Sequence, residues 1–390
     1  MVLACFSDQQ NKVCQKHTSD INHDNAKLLR LIVAYIYKGK SLLETSKRSL
    51  ETKNTKNSRL LFHPSFSETL AELKKRKIIL PTNATDQEID FSRYGYPQEG
   101  ALVSNVEDFG KVKVDAKKGE AMGNSALICA YDESVNKFEG LQGTAYLTSH
   151  SLIIHGLYDF IPVNLLTFYF YTRSSILSQD SNFIKFSEEP EADSNRDYIN
   201  DREKLLTENV PDNSVIFIDG PLIGGNMADA TINLNKILAS KGIIPICFVK
   251  NSNSNIVTDN IEQLKGKYNS DMHWAYSVLR AGERTNLFRY TDGYNPKLTK
   301  IFCYMKPFDV SPQRIEFDLV TYKKYSRTID DFFDLAYYLL LAQGDLKNPQ
   351  IRSIAVAEKF ARATLRLINF EQMMKDLGIT PTMNQERFAW

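Results

Sequence analysis

Residues 215–219, Val-Ile-Phe-Ile-Asp, constrain the fold of this chain more than any other short segment. Consecutive β-branched and aromatic residues are typical of a strand buried on both faces, yet this one ends on a carboxylate followed by Gly220 and Pro221. Residues 227–242 then predict a helix, and residues 243–250 predict a second buried strand. A strand–helix–strand unit of this kind makes its two strands parallel and connects them by a right-handed crossover.

The segments upstream of this unit predict a meander. Residues 125–132, 143–149 and 151–160 are rich in strand-forming residues and are separated by short polar or glycine-containing connections. After an acidic loop that contains a proline, residues 196–209 place their apolar side chains on one helical face. The order β-β-β-α-β-α-β predicts an α/β fold with a ribonuclease H-like mixed sheet flanked by helices.

The chain divides into two predicted parts. Residues 1–95 are polar and helical in pattern, with caps at Asp24 and Ser67, and we expect a helical N-terminal arm that makes dimer or partner contacts. Residues 96–390 hold the ribonuclease H-like domain. A chain of 390 residues that is 43% hydrophobic is long enough and apolar enough to bury a sizeable core.

Charge and cysteine content indicate which partners and which cellular compartment to expect for the protein. Lys and Arg (48) almost balance Asp and Glu (47), so net charge does not require a nucleic-acid partner. The five cysteines form no C-x-x-C pair, which is typical of free thiols in a reducing compartment. The N-terminus lacks a signal-peptide pattern and the densest apolar stretch is short, so we expect a cytoplasmic protein without membrane association.

Three carboxylates stand at positions that this topology would bring together. Asp132 ends the first strand and Asp219 ends the fourth, and these two strands are neighbours in a ribonuclease H-like sheet. Glu203 borders the buried face of the intervening helix. Converging acids repel one another unless a cation neutralises them, and oxygen ligands suit Mg²⁺ or Mn²⁺. Taken singly, each acid is also compatible with an ordinary turn or an exposed helix position.

Five segments of the chain form an ordered set: YDES (131–134), VIFIDGPLIGG (215–225), ICFVKNSNS (246–254), AGERTNLF (281–288) and KNPQIRSIAVAEKFARA (347–363). In this order they resemble the blocks of NurA-type nucleases. The resemblance implies a DNA nuclease of ribonuclease H-like fold that depends on Mn²⁺ or Mg²⁺. It further implies a homodimer that processes DNA ends 5′ to 3′ beside a HerA-type hexameric ATPase, in DNA repair or anti-phage defence.

The same resemblance suggests roles for individual residues. Asp132 matches the first-strand acid, Asp219 the fourth-strand acid, and Glu203 is the best candidate for the helix acid. Asp271 is a weaker match to another recurring acid. Lys250 resembles a strand-end lysine that meets a substrate phosphate, although a lysine whose ammonium merely reaches solvent is equally compatible. Arg284 could contact the scissile backbone or form an ion pair.

Departures from the family pattern leave a second hypothesis open. The family's Asp-Gly-Ser is Asp132-Glu133-Ser134 here, and its Tyr-Pro and His align with Asn348-Pro349 and Val356. Because valine neither binds metal nor transfers a proton, Glu358 is the candidate that would complete the ligand set. The alternatives are a catalytically weakened adaptor that docks on a HerA-like motor and guides DNA, and a nuclease that acts on RNA or a guide-paired strand.

Overall fold

The computed structural model describes residues 102–108, 110–155, 160–179, 184–250, 252–261, 264–344 and 349–382. These residues lie within the unit that spans residues 79–390. The predicted helical arm, residues 1–95, lies outside the described residues. Among the helices that the structure describes, none combines the length and the apolar character needed to span a bilayer.

The described part of the chain forms twelve strands and nine helices. The strands are β1 (Leu102–Asn105), β2 (Lys111–Lys113), β3 (Ile128–Gly140), β4 (Gly143–His155), β5 (Phe160–Thr172), β6 (Ile184–Phe186), β7 (Val215–Asp219), β8 (Ile244–Val249), β9 (Glu283–Thr285), β10 (Phe288–Thr291), β11 (Thr299–Lys306) and β12 (Gln313–Asp318). The helices are α1 (Ala116–Gly123), α2 (Ser175–Ser178), α3 (Pro190–Asn209), α4 (Ala228–Ser240), α5 (Asp271–Val278), α6 (Leu319–Tyr325), α7 (Ile329–Gln343), α8 (Arg352–Arg366) and α9 (Phe370–Asp376).

One mixed sheet contains all of these strands. Its order is β1-β10-β11-β12-β8-β7-β3-β4-β5-β6, and β9 pairs with β11 and β2. Strands β3, β4 and β5 are antiparallel, whereas β7 pairs parallel with β3 on one side and with β8 on the other. The order β5-β4-β3-β7-β8, with an antiparallel meander joined to two parallel strands, is ribonuclease H-like, and the predicted fold class is confirmed.

The meander differs from its prediction in the bounds of its strands. Residues 143–155 form the single strand β4, and the third strand is β5, which the sequence reading missed. Ser149, His150 and Ser151 looked like a polar connection, but all three side chains are buried within β4. Their burial between neighbouring strands keeps the segment extended.

Helix α3 begins earlier than predicted. Residues 190–195 were read as part of a loop, whereas the helix begins at Pro190. Proline is well tolerated at the first helical position, because the N–H group that it lacks would have no intrahelical partner there, and its fixed φ suits the helix. A proline in a polar segment therefore marked the start of a helix and not a loop.

The two faces of the sheet carry different helices. Ala130 and Phe217 point to the face that is covered by α7 and α8. Tyr131 and Ile218 point to the opposite face, where they pack against α3 and α4. Because side chains alternate along a strand, Asp132 and Asp219 point to the α7–α8 face.

Candidate metal centre

Asp132 and Asp219 occupy adjacent positions on neighbouring strands. The parallel register pairs Tyr131 with Ile218, and the two aspartates are the next residues of β3 and β7. Strand β7 ends at Asp219, but β3 continues to Gly140. The prediction that Asp132 ends its own strand was therefore wrong. Asp132 lies within β3, beside the point where β7 ends.

Gly220 makes the turn that follows Asp219. Its φ of +102° lies in the left-handed region, where residues with a side chain are strained. A Cβ atom at this position would meet nothing within 4 Å, so glycine is required by the backbone conformation and not by crowding. The Gly220 N–H donates to the Phe248 carbonyl at 2.8 Å, which fixes the turn against β8.

Glu358 brings a third carboxylate to the same place. It lies on α8, which packs across β3 and β4 on the face that Asp132 and Asp219 share. One carboxylate oxygen from each of the three residues lies within 4.8 Å of the other two. Within the part of the chain that the structure describes, this is the only group of three potential ligands brought so close together.

Cationic and polar side chains surround this carboxylate group. Lys250 Nζ lies 2.7 Å from Asp219 Oδ2 and 3.5 Å from Glu358 Oε2. Arg362, one helical turn beyond Glu358, contacts its other oxygen at 2.6 Å. The Gln350 amide donates to Glu358 Oε2 at 3.5 Å. Two cationic side chains therefore face three carboxylates, and the group keeps an excess of negative charge.

Asp132 is the most buried of the three carboxylates, at 8% exposure, so the excess of negative charge affects it most strongly. Burial raises its pKa from 3.8 to about 7, and the charges of Asp219 and Glu133 act in the same direction. The Glu133 N–H donates to Asp132 Oδ1 at 2.9 Å and, with Lys250, partly opposes the rise in pKa. A cation beside Asp132 would favour its ionised form.

The donor set fits a hard divalent cation. All three ligand candidates are carboxylates, the donors that Mg²⁺ and Mn²⁺ prefer in proteins. Lys250 already places a positive charge against two of them, which indicates how strongly the group attracts cations. The excess of carboxylates also explains why a cation with two charges suits the site better than one more ammonium group.

Glu203 is not brought into this group, contrary to the prediction. Helix α3 packs through Leu205 and Leu206 against the Tyr131–Ile218 face of the sheet. That face is opposite to the one that Asp132 and Asp219 share. A helical pattern identifies the buried face of a helix, but it does not tell which side of the sheet receives that face.

Arg284 has a structural environment that does not match its predicted role in substrate binding. Its side chain is 1% exposed, and the guanidinium donates to Glu107 at 2.5 Å and to Asp330 at 2.6 Å. A further bond reaches the Thr285 carbonyl at 2.8 Å, and the group lies over the ring of Phe333. An arginine so enclosed ties β9 to its surroundings and does not reach the surface, where a nucleic acid would bind.

Asp271 is likewise a structural acid. It is fully buried, and its oxygens accept from the N–H groups of Val257 and Thr258 and from the hydroxyls of Thr258 and Tyr304. These bonds join the loop before α5 to β11. In this structure the bonding of Asp271 holds a loop in place.

Two other family positions can now be located. Glu133 follows Asp132 on β3, so its side chain points to the α3 face and adds no ligand to the group. Val356 lies on α8 two residues before Glu358. Asn348 lies outside the described residues. Gln350 and Arg362, which contact Glu358, were not singled out by the sequence reading, although the four-residue spacing of Glu358 and Arg362 is a recognisable helical pair.

The fold and the acidic group define a class of protein. A ribonuclease H-like sheet with carboxylates where its first and fourth strands meet is an arrangement suited to metal-assisted chemistry on phosphate esters. The family model described as NurA domain matches residues 132–346, more than half of the chain. The chain belongs to the NurA family, and this membership supports a nuclease that binds nucleic acid.

Three solved structures are among those similar to this chain. The NurA nuclease from Sulfolobus solfataricus shares 10% identity at a TM-score of 0.43, covering 81% of this chain and 98% of that one. Endonuclease V from Bacillus subtilis shares 12% at 0.31, covering 79% and 93%. Argonaute from A. aeolicus shares 14% at 0.31, covering 69% and 31%. Among curated proteins, none matches the chain.

Proposed function

We propose that this protein is a metal-dependent nuclease that hydrolyses phosphodiester bonds in DNA. The observation that carries the proposal is the approach of Asp132, Asp219 and Glu358, whose carboxylate oxygens lie within 4.8 Å of one another. Membership of the NurA family supports a role for this group in phosphodiester hydrolysis. Neither the burial nor the mutual repulsion of these acids serves stability, because both raise the free energy of the folded state.

Asp132, Asp219 and Glu358 would hold Mg²⁺ or Mn²⁺ through their oxygens. Bound divalent ions activate a water molecule and stabilise the leaving oxygen in phosphodiester hydrolysis. Asp132 has to be ionised to act as a ligand, and its pKa near 7 in the absence of a cation couples cation binding to proton release. Gln350 and Arg362 hold the carboxylate of Glu358 in place.

Lys250 contributes positive charge at the same edge of the sheet. Its ammonium lies between Asp219 and Glu358 and keeps about a quarter of its side chain exposed. A flexible lysine in this position can contact a phosphate oxygen of the substrate and neutralise charge that develops during hydrolysis. This role agrees with the strand-end lysine of the family resemblance.

The family resemblance also supports the biological setting that we propose. The protein would act as a homodimer on DNA ends, 5′ to 3′, beside a HerA-type hexameric ATPase in the cytoplasm. Residues 1–95 would provide dimer or partner contacts. DNA repair and anti-phage defence are both compatible with an end-processing nuclease of this kind.

The test is a cleavage assay on linear duplex DNA, circular duplex DNA, single-stranded DNA and RNA. Each substrate is incubated with Mn²⁺ or Mg²⁺, with and without a HerA-type ATPase. We expect divalent-dependent cleavage of linear DNA that Asp219→Asn abolishes and that Glu203→Gln, the matched acid on the opposite face, preserves. Equal behaviour of wild type and Asp219→Asn would favour the adaptor hypothesis. A preference for RNA would contradict the DNA assignment.

A further inference from the structure

A polar cavity lies on the face of the sheet opposite the candidate metal centre. Its volume is about 180 Å³, and its lining includes Ile223, Ser254, Ile256, Tyr290, Lys300 and Arg314. None of the residues that line it is acidic, although two are cationic. A cavity of this composition favours an anion.

Lys300 brings a buried ammonium group to the cavity wall. Its residue is 2% exposed, and Nζ donates to Glu316 Oε1 at 2.6 Å. The rings of Tyr290 and Phe302 lie 5.6 and 5.8 Å from the same nitrogen. An ammonium has three N–H donors, and Glu316 accepts one of them. A buried donor without an acceptor is costly, so an acceptor inside the cavity would stabilise this arrangement.

Ser254 adds a second donor. Arg314 Nη1 donates to the hydroxyl oxygens of Ser252 and Ser254 at 2.8 and 2.7 Å, and the Ser252 hydroxyl donates to Ser254 Oγ at 2.8 Å. Ser254 Oγ thus accepts two hydrogen bonds. Its own proton remains to be donated, and the residue lines the cavity.

The charges around the cavity do not cancel at close range. Lys300 and Arg314 share a single carboxylate, because both contact Glu316 Oε1, at 2.6 and 2.7 Å. The other oxygen of Glu316 accepts the Leu222 N–H at 2.7 Å. Both oxygens of the acid are therefore engaged, and the group of three side chains keeps one uncompensated positive charge.

Two segments connect this cavity to the candidate metal centre. The loop that follows Asp219 supplies the Leu222 N–H that Glu316 accepts, and it places Ile223 on the cavity wall. On the next strand, Val249 pairs with Arg314, and Lys250 follows Val249 directly. The cavity is thus a few residues from the carboxylate group along both segments.

We infer that this cavity is a phosphate site that holds one phosphate group of the nucleic-acid strand processed at the carboxylate centre. The nucleic-acid identity of the ligand rests on the proposed function. Lys300, Arg314 and Ser254 supply charge and donors for the phosphate oxygens, while Ile223 and Ile256 offer apolar contact to the adjoining sugar. The cavity is smaller than the roughly 300–1,000 Å³ of a typical ligand pocket, so a base remains outside.

The first experiment tests the phosphate site without any nuclease activity. The midpoint of thermal unfolding is measured in EDTA with increasing sodium phosphate, at constant ionic strength, for wild type, Lys300→Met, Ser254→Ala and Lys297→Met. Lys297 is an exposed lysine three residues before Lys300, in the connection between β10 and β11, and it serves as the matched control. The general stabilising effect of phosphate acts on all four proteins alike, so a specific site shows as a difference between them.

Wild type and Lys297→Met should bind phosphate equally, and Lys300→Met should bind at least about tenfold more weakly, as expected for a lost charged hydrogen bond. Arg314 still pairs with Glu316 in this variant, which protects the fold. Ser254→Ala should weaken phosphate binding without removing a charge and stands in if Lys300→Met fails to fold. Identical phosphate responses of wild type and the folded cavity variants would overturn the site.

The second experiment identifies the source of the phosphate. Binding of 5′-phosphorylated and 5′-hydroxyl oligonucleotides is compared in EDTA, where metal-dependent cleavage cannot occur. A preference for the 5′-phosphate that Lys300→Met abolishes supports a strand-end site, and an equal loss for both oligonucleotides supports an internal phosphate. Unchanged oligonucleotide binding by Lys300→Met overturns the nucleic-acid assignment. A protein that passes these tests yet never cleaves DNA refutes the proposed nuclease and not the phosphate site.

Discussion

Two regions of the same sheet bury carboxylates, and the pKa values of these carboxylates are shifted in opposite directions. Beside the end of β7, Asp132 on β3 is 8% exposed and its pKa is raised to about 7. On β12, Glu316 is more deeply buried, at 0% exposure, yet its pKa is held below its usual value. Burial alone would raise both pKa values, but Lys300 and Arg314 reverse the effect at Glu316.

The difference shows that the balance of nearby charges, and not depth, separates a candidate functional acid from a structural one. Glu316 is outnumbered by cationic side chains, so its ionised form is stable and it ties together neighbouring strands. Asp132 belongs to a group in which carboxylates outnumber cations. The stability lost by gathering such acids becomes available as binding energy for a cation.

The largest expected effect concerns activity at the first region. Asp219→Asn keeps the shape of the side chain and removes one ligand charge, so we expect cleavage to fall by at least about 10³-fold. Urea unfolding of the metal-free variant should show little loss of stability, because the substitution also relieves repulsion with Asp132. Glu203→Gln is the control. A large loss of stability in Asp219→Asn would show that Asp219, like Glu316, stabilises the fold.

Glu316→Gln should produce the opposite pattern. The substitution leaves Lys300 and Arg314 buried without a carboxylate, and breaking a buried ion pair in this way destabilises proteins by about 3–5 kcal/mol. The free energy of unfolding should therefore fall far more than in Asp219→Asn. Urea unfolding of the two variants side by side measures the contrast. Equal stabilities would remove the distinction between the two regions.

The pH dependence of stability should expose Asp132 directly. In EDTA, the folded protein keeps the Asp132 proton up to about pH 7, whereas an unfolded chain releases it near pH 4. Raising the pH through this window therefore destabilises the fold, by about 4 kcal/mol for a shift of this size.

The matched variant for this prediction is Asp132→Asn, which cannot ionise. Its stability should lack the decline between about pH 4 and pH 7, and added Mn²⁺ should restore the stability of wild type but not of the variant. Thermal unfolding at several pH values, with and without Mn²⁺, provides the measurement. A wild-type curve that matches the variant throughout would show that Asp132 is not perturbed.

Topology explains why part of the candidate site could be predicted. The order of strands and helices places the first and fourth strands side by side, so Asp132 and Asp219 were expected to meet before any contact was known. Glu358 came from a departure in a family block, where Val356 stands in place of a histidine. Element order and a general rule of sheet topology were sufficient for the two aspartates, whereas Glu358 depended on the family resemblance.

Other residues depended on contacts that no local pattern reports. Glu203 was misplaced because helical periodicity does not say which face of the sheet a helix covers. For Arg284 the sequence left substrate contact and an ion pair both open, because the partners that it meets, Glu107 and Asp330, are 177 and 46 residues away in the chain. Lys300 and Glu316 meet only through the pairing of β11 with β12. Such partners become visible once the strands are assembled.

The smallest predicted effect is that of a substitution at Asp271. This residue is a third buried acid, against which the contrast between Asp132 and Glu316 can be tested. Its pKa is raised by burial, as for Asp132, but backbone and hydroxyl donors surround it instead of other acids. Asp271→Asn replaces an acceptor oxygen by an N–H₂ group that faces these donors, which should destabilise the protein by about 2 kcal/mol. Asp259→Asn, an exposed acid on the same loop, is the control. Cleavage per folded molecule should stay unchanged, because Asp271 lies apart from the carboxylate group and its partners are backbone and hydroxyl donors. A specific loss of activity in folded Asp271→Asn would contradict this assignment.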